Sequence, residues 1–186
     1  MFMSSSTPDP LDLFLQAHLD GVREAERCLG IVEKRLSDAD RDSLFLGCKA
    51  ALLVIVQNDA GLAVNDPLYR RNALQIARDA LQQSDRSTAL KIQLINGLAW
   101  ARLGPRDPDH ARAHEFLREF ETSYQFSDLP PLMALEGLVA LCLLHEDAGF
   151  PQKGAACFES ACRIDRSQAE VRLKAFCGLR QRARRS

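Results

Sequence analysis

The chain has 186 residues, of which 46% are hydrophobic and 26% charged, and its 24 Lys and Arg nearly balance 25 Asp and Glu. That balance excludes disorder throughout and a generally basic nucleic-acid binder, and it fits one domain with a sizeable apolar core. Windows without an acid or base, such as Ala50 to Asn58 and Gly137 to Leu144, fall far short of the roughly 20 residues a membrane-spanning helix needs, so no membrane insertion is expected.

Residues 1–8 read as a disordered N-terminal tail. Met1 to Asp12 carries serines, prolines and acids where a secretory signal would have basic residues and an apolar run, so a cytoplasmic location is expected. A single helical domain is predicted over 9–182, followed by a basic end at 183–186. Its first helical segment, 9–35, has candidate kinks at Gly21 and Gly30.

Further helices are predicted at 39–58, 67–83, 87–103, 108–124, 130–147, 152–164 and 167–182, separated by turns where Gly, Pro, Asp and Ser collect. The turns are Asp59 to Pro67, Ser84 to Ser87, Gly104 to Pro108, Ser127 to Pro131, Ala148 to Pro151 and Asp165 to Ser167. Two helices are amphipathic: Tyr69, Ala73, Ile76, Ala77, Ala80 and Leu81 form one stripe, and Ala113, Phe116, Leu117, Phe120 and Tyr124 another. Leu44 to Val56, Leu90 to Leu103 and Leu132 to Leu144 are apolar on nearly every side, which predicts helices sandwiched between neighbours. Strand signals are almost absent, and short connections favour antiparallel neighbours. The fold expected is all-α, about eight helices arranged as antiparallel hairpins.

A weak internal repeat runs through these hairpins. Ile95-Asn96-Gly97-Leu98-Ala99 matches Leu135-Glu136-Gly137-Leu138-Val139, with Leu46-Gly47-Cys48 as the nearest earlier counterpart. Glycine inside a helix costs about 1 kcal/mol relative to alanine, so its recurrence suggests the close approach of a neighbouring helix.

Six cysteines, at 28, 48, 142, 157, 162 and 177, form no CxxC and lie mostly among apolar neighbours, which favours buried reduced thiols. His110 and His114 are four apart, a spacing that can place two metal ligands on one helix face, but Ala111 stands where a zincin motif has Glu. His18 and His145 have no partner identifiable from spacing. No metal and no cofactor is expected. Neighbouring carboxylates such as Glu146 and Asp147, or Glu119 and Glu121, read as solvated faces, and no catalytic residue is assigned; the chain is not expected to be an enzyme.

Residues 134–167 resemble the tetratricopeptide repeat, a helix-turn-helix unit of about 34 residues. Phe158 and Ala161 fall at its aromatic and small second-helix positions, Leu138 and Leu141 at apolar first-helix positions, and Gly149 at the turn. Cys142 stands where the family prefers Gly, Gly154 where it prefers Ala, and Arg166 where it usually has Pro. The second hairpin shows only Trp100, Gly104 and Ala113, after an insertion around Pro105 to Pro108. The resemblance implies hairpins stacked as a right-handed α-solenoid whose first helices line a groove for a partner segment. Carried over by position, the groove residues are Lys91, Leu94, Leu98 and Arg102, then Glu136, Val139 and Leu143. The same leucines would serve a plain helical bundle as core.

In size and helical character the chain is also similar to the small cytosolic chaperones of bacterial type III secretion. Together these resemblances imply a non-enzymatic protein-binding adaptor or chaperone that holds an amphipathic or extended protein or peptide segment. The alternative is an accessory protein that binds nucleic acid or an acidic partner through Arg172, Lys174, Arg180, Arg182, Arg184 and Arg185, although these cations also suit a helix C-terminus and a soluble end cap. Nucleic acid is the less favoured partner, because no aromatic residue follows Phe176 to stack on bases. Leu11, Phe14, Leu15 and Leu19 could pack within the chain or form the seam of a homodimer through the N-terminal helix.

Overall fold

The computed structural model describes residues 8–38, 42–59, 67–124 and 128–183. All regular structure among them is helical: α1 (Pro10–Asp20), α2 (Val22–Asp38), α3 (Ser43–Asp59), α4 (Pro67–Gln82), α5 (Arg86–Ala101), α6 (Ala111–Ser123), α7 (Pro131–Asp147) and α8 (Pro151–Ala183). The tail at 1–7, positions 60–66 of the expected turn between α3 and α4, and the end at 184–186 lie outside the described residues.

Local chemistry explains these boundaries. Pro10, Pro67, Pro131 and Pro151 each open a helix, where a missing N–H costs nothing and the fixed φ is already helical. Asp9, Asp42 and Asp85 precede α1, α3 and α5, and their carboxylates accept from Leu11 N at 2.7 Å, Leu44 N at 2.9 Å and Thr88 N at 2.8 Å. The first predicted segment does break, at Gly21, where φ is 91°; Gly30 lies inside α2 and interrupts nothing. Asp165, at φ −159° and ψ 110°, divides α8 into two halves. Its carboxylate accepts from Gln168 N at 3.0 Å and so caps the second half.

Packing follows chain order. Each helix packs on the next, and the odd-numbered helices also pack on one another, α1 on α3, α3 on α5 and α5 on α7. Two of the three helices apolar on every side are covered nearly all round: α7 is buried continuously from Met133 to His145 and α5 from Leu94 to Ala101, whereas α3 keeps half-buried side chains at Leu44, Leu46, Leu53 and Val56. The recurrent glycines sit at these crossings. A Cβ at Gly47 would lie 2.7 Å from Ile92, at Gly97 2.4 Å from Leu117, and at Gly137 2.5 Å from Phe120 and 2.8 Å from Leu94. Across the α5–α6 connection, Arg70 of α4 donates to both oxygens of Asp107 at 2.8 and 2.9 Å and to Asp109 at 3.2 Å. The insertion around Pro105 to Pro108 is thereby fastened to the preceding hairpin.

Candidate functional site

The surroundings of α1 are assembled from five helices, α2, α3, α5, α7 and α8. Leu11, Leu13, Phe14, Ala17 and His18 are all buried, while Asp12, Gln16 and Asp20 point to solvent, so α1 is an amphipathic helix laid apolar side down. At its start, the Cys48 thiol of α3 donates to the Pro10 carbonyl at 3.3 Å. At its end, fully buried Arg102 donates from Nη1 to the His18 carbonyl at 2.7 Å. A cation there satisfies a carbonyl that the ending helix leaves open and complements the helix dipole.

His18 stands at the centre of the polar end of this face. Its ring packs on Phe14 (centroids 5.5 Å apart) and on Phe176 of α8 (5.3 Å), and its Nε2 lies 3.7 Å from Glu136 of α7. The opposite carboxylate oxygen of Glu136 is 3.1 Å from Arg172 Nε in α8. Glu136 is 1% exposed, so a buried carboxylate is flanked by a guanidinium and an imidazole. Burial, followed by the nearby Arg102 cation, pushes the His18 pKa down against the opposing pull of Glu136, leaving the ring neutral at pH 7. Beside this cluster, Leu19, Phe176 and Leu179 help to line a small cavity of about 110 Å³.

The expected groove residues are corrected by this arrangement. Leu94, Leu98, Arg102, Glu136, Val139 and Leu143 are at most 7% exposed and line no open groove. The reason is geometric, because α5 and α7 each have neighbours on every side and nothing of their apolar surface is left over. Lys91 alone is half-buried, in an open recess of about 640 Å³ with Arg86 and Leu90 of α5 and Glu119 and Ser123 of α6.

The basic patch is divided as well. Arg172 faces Glu136, and Arg180, 5% exposed, donates to the Asp147 carboxylate at the end of α7. Both cations bind the second half of α8 to the stack. Lys174 is exposed, and the side chains of Arg182, Arg184 and Arg185 lie outside the described residues. Leu11 and Phe14 are core, with Leu15 packed against it and Leu19 half-buried, so the apolar side of α1 is turned inward and a homodimer through it is not supported.

His110 and His114 separate. His110 Nδ1 lies 2.8 Å from the Leu103 carbonyl, and its Nε2 is 3.3 Å from Asp147; burial and then Arg180 lower its pKa. His114 instead meets His145, with ring centroids 5.7 Å apart. His145 Nε2 is 2.9 Å from Glu121 Oε1, and Cys157 Sγ joins them, all three donor atoms lying within 4.8 Å of one another. Among the described residues this is the group able to hold a metal ion. Spacing could not reveal it, since its members come from α6, α7 and α8. A histidine inside the otherwise apolar α7 was the available signal, because a buried polar side chain implies a partner. The six cysteines are free thiols.

No family model, curated protein or solved structure matches the chain. The functional reading rests on its own residues.

Proposed function

We propose that the chain is a non-enzymatic protein-binding module with a tetratricopeptide-like stack of hairpins, most concretely a cytoplasmic adaptor or secretion-type chaperone. The partner contributes an amphipathic helix that takes the place of α1. The observation that carries this reading is α1 itself, an 11-residue helix joined to the rest by Gly21, with one apolar side seated among α2, α3, α5, α7 and α8. A face that accepts one short amphipathic helix has the shape and chemistry to accept another.

Two features support the stacked-hairpin part of the reading. First helices pack on first helices, as α3 on α5 and α5 on α7, which is how successive repeats of a solenoid meet. In the hairpin nearest the family pattern, the two small-residue positions also face each other, a Cβ at Gly154 falling 2.8 Å from the Cys142 carbonyl oxygen. The basic-tail alternative ranks second, because Arg172 and Arg180 are engaged within the fold.

The test uses the full chain carrying Phe14→Asp, which loosens α1, and a fluorescent peptide of residues 8–21. Saturable anisotropy binding to the variant, with little binding to the wild-type chain, is expected. A variant that keeps its helical circular dichroism but does not bind the peptide makes α1 ordinary core and removes this reading.

A further inference from the structure

The three side chains gathered at the base of the last hairpin have a chemistry that the protein-binding reading does not use. We propose that Glu121, His145 and Cys157 form a zinc site. Carboxylate oxygen, imidazole nitrogen and thiolate sulfur are together the donor set of zinc: calcium and magnesium take oxygen ligands, and copper(I) takes soft sulfur. The ligands come from three helices, so the ion would join the end of α6 to the α7–α8 hairpin.

The surroundings suit the ion. With zinc bonds of about 2.0 to 2.3 Å, tetrahedral ligand atoms sit roughly 3.3 to 3.6 Å apart. The 2.9 Å between His145 Nε2 and Glu121 Oε1 must open slightly, and the widest spacing, at most 4.8 Å, must close by about 1 Å, which side-chain torsions supply. His145 and Cys157 are buried, whereas the Glu121 side chain is 37% exposed. Glu121 thus marks the path of entry and leaves the solvent side for a water as fourth ligand. The tilted ring of His114, whose Nε2 is 3.2 Å from the Leu144 carbonyl, packs beside His145 and limits its rotation.

Charge favours occupancy. A dipositive ion with one carboxylate, one thiolate and one neutral imidazole is a neutral assembly, the least costly kind to bury. Binding therefore breaks the S–H bond, forms the S–metal bond and releases the proton to solvent.

The experiment titrates the reduced, chelator-treated full chain with cobalt(II), the spectroscopic substitute for zinc. A thiolate-to-cobalt charge-transfer band that saturates at one equivalent and is displaced by zinc is expected. Cys157→Ser should abolish the band and lower affinity at least about 100-fold, since loss of even an indirect partner of a metal ligand typically costs 10- to 100-fold. Cys142→Ser and Cys162→Ser should leave both unchanged. No band at one equivalent, or a band that persists in Cys157→Ser, overturns the proposal. Should Cys157→Ser fail to fold, Glu121→Gln at the half-exposed ligand decides: the band remains with affinity reduced at least about tenfold, and unchanged affinity overturns the site.

Discussion

Replacing Gly137 with alanine sets two effects of known sign against each other. The helix gains about 1 kcal/mol, the usual advantage of alanine over glycine in a helix interior. Against this, the new methyl lies 2.5 Å from Cε1 and Cζ of Phe120 and 2.8 Å from Leu94 Cδ1, where carbon atoms normally rest about 3.5 to 4.0 Å apart. Phe120 is 0% exposed and its ring lies 5.5 Å from that of Tyr124, so relief requires displacing a side chain hemmed in by neighbours. Overpacking of this kind costs about 1 to 3 kcal/mol, which makes the net change about 0 to 2 kcal/mol destabilising. Gly30→Ala is the internal control, because its added carbon has nothing within 4 Å and only the gain of about 1 kcal/mol applies. Urea unfolding followed by far-ultraviolet circular dichroism should separate the two variants by about 1 to 3 kcal/mol, or on the order of 1 M in midpoint. If Gly137→Ala unfolds at the same urea concentration as Gly30→Ala or above it, the close crossing of α7 with α5 and α6 is refuted.

Phe14→Ala should cost about 3 to 5 kcal/mol in the same assay, as for any fully buried phenylalanine, and a loss below about 1 kcal/mol would mean that α1 is not seated. Acidification should destabilise the chain: His18 and His110 are both held below the ordinary 6.5, chiefly by burial, so the unfolded chain takes up these protons first. Their stabilisation is complete above pH 6.5 and is lost as pH falls from there towards the lowered folded values, so a urea midpoint that stays flat or rises between about pH 7 and 5 contradicts the burial of both rings. Leu15→Asp should leave the sedimentation mass unchanged, because the apolar side of α1 is used within the chain; a drop from dimer to monomer would restore the intermolecular seam.

What could be read from the sequence was mostly what is local. Proline openings, aspartate caps and the clusters of turn residues act within a few positions, and they place most helix ends within a few residues of the observed ones. The glycine repeat was also legible, since a residue that weakens a helix interior needs a packing reason, and Gly47, Gly97 and Gly137 each have one. The sealing of the groove was not legible. A helix apolar on one side announces which side is covered, whereas α5 and α7, apolar all round, give no direction and accommodate an open cleft or a closed core equally well. The division of the basic end did leave a trace. Arg172, Phe176 and Arg180 are four apart and share one face of the second half of α8, so the ring that buries that face takes both arginines with it. The metal-ligand cluster depends on contacts between three helices, which no single-helix periodicity contains.

The two ends of α1 make unequal demands on any helix that would replace it. Along its body the face offers apolar contact, and burial rewards any helix of similar width at roughly 25 cal/mol per Å², so many sequences would serve. The C-terminal end is stricter. Arg102 is fully buried and donates to the His18 carbonyl, which is free to accept because the helix stops at Asp20 and turns at Gly21. A helix continuing through that point would use its own carbonyls internally, and Arg102 would lose a charge-assisted hydrogen bond of about 1.5 to 3 kcal/mol. Glu136 and Arg172 lie just beyond and favour a neutral polar side chain at the His18 position over an apolar one. On the proposed reading, affinity would come from the body of the partner helix and selectivity from where that helix ends.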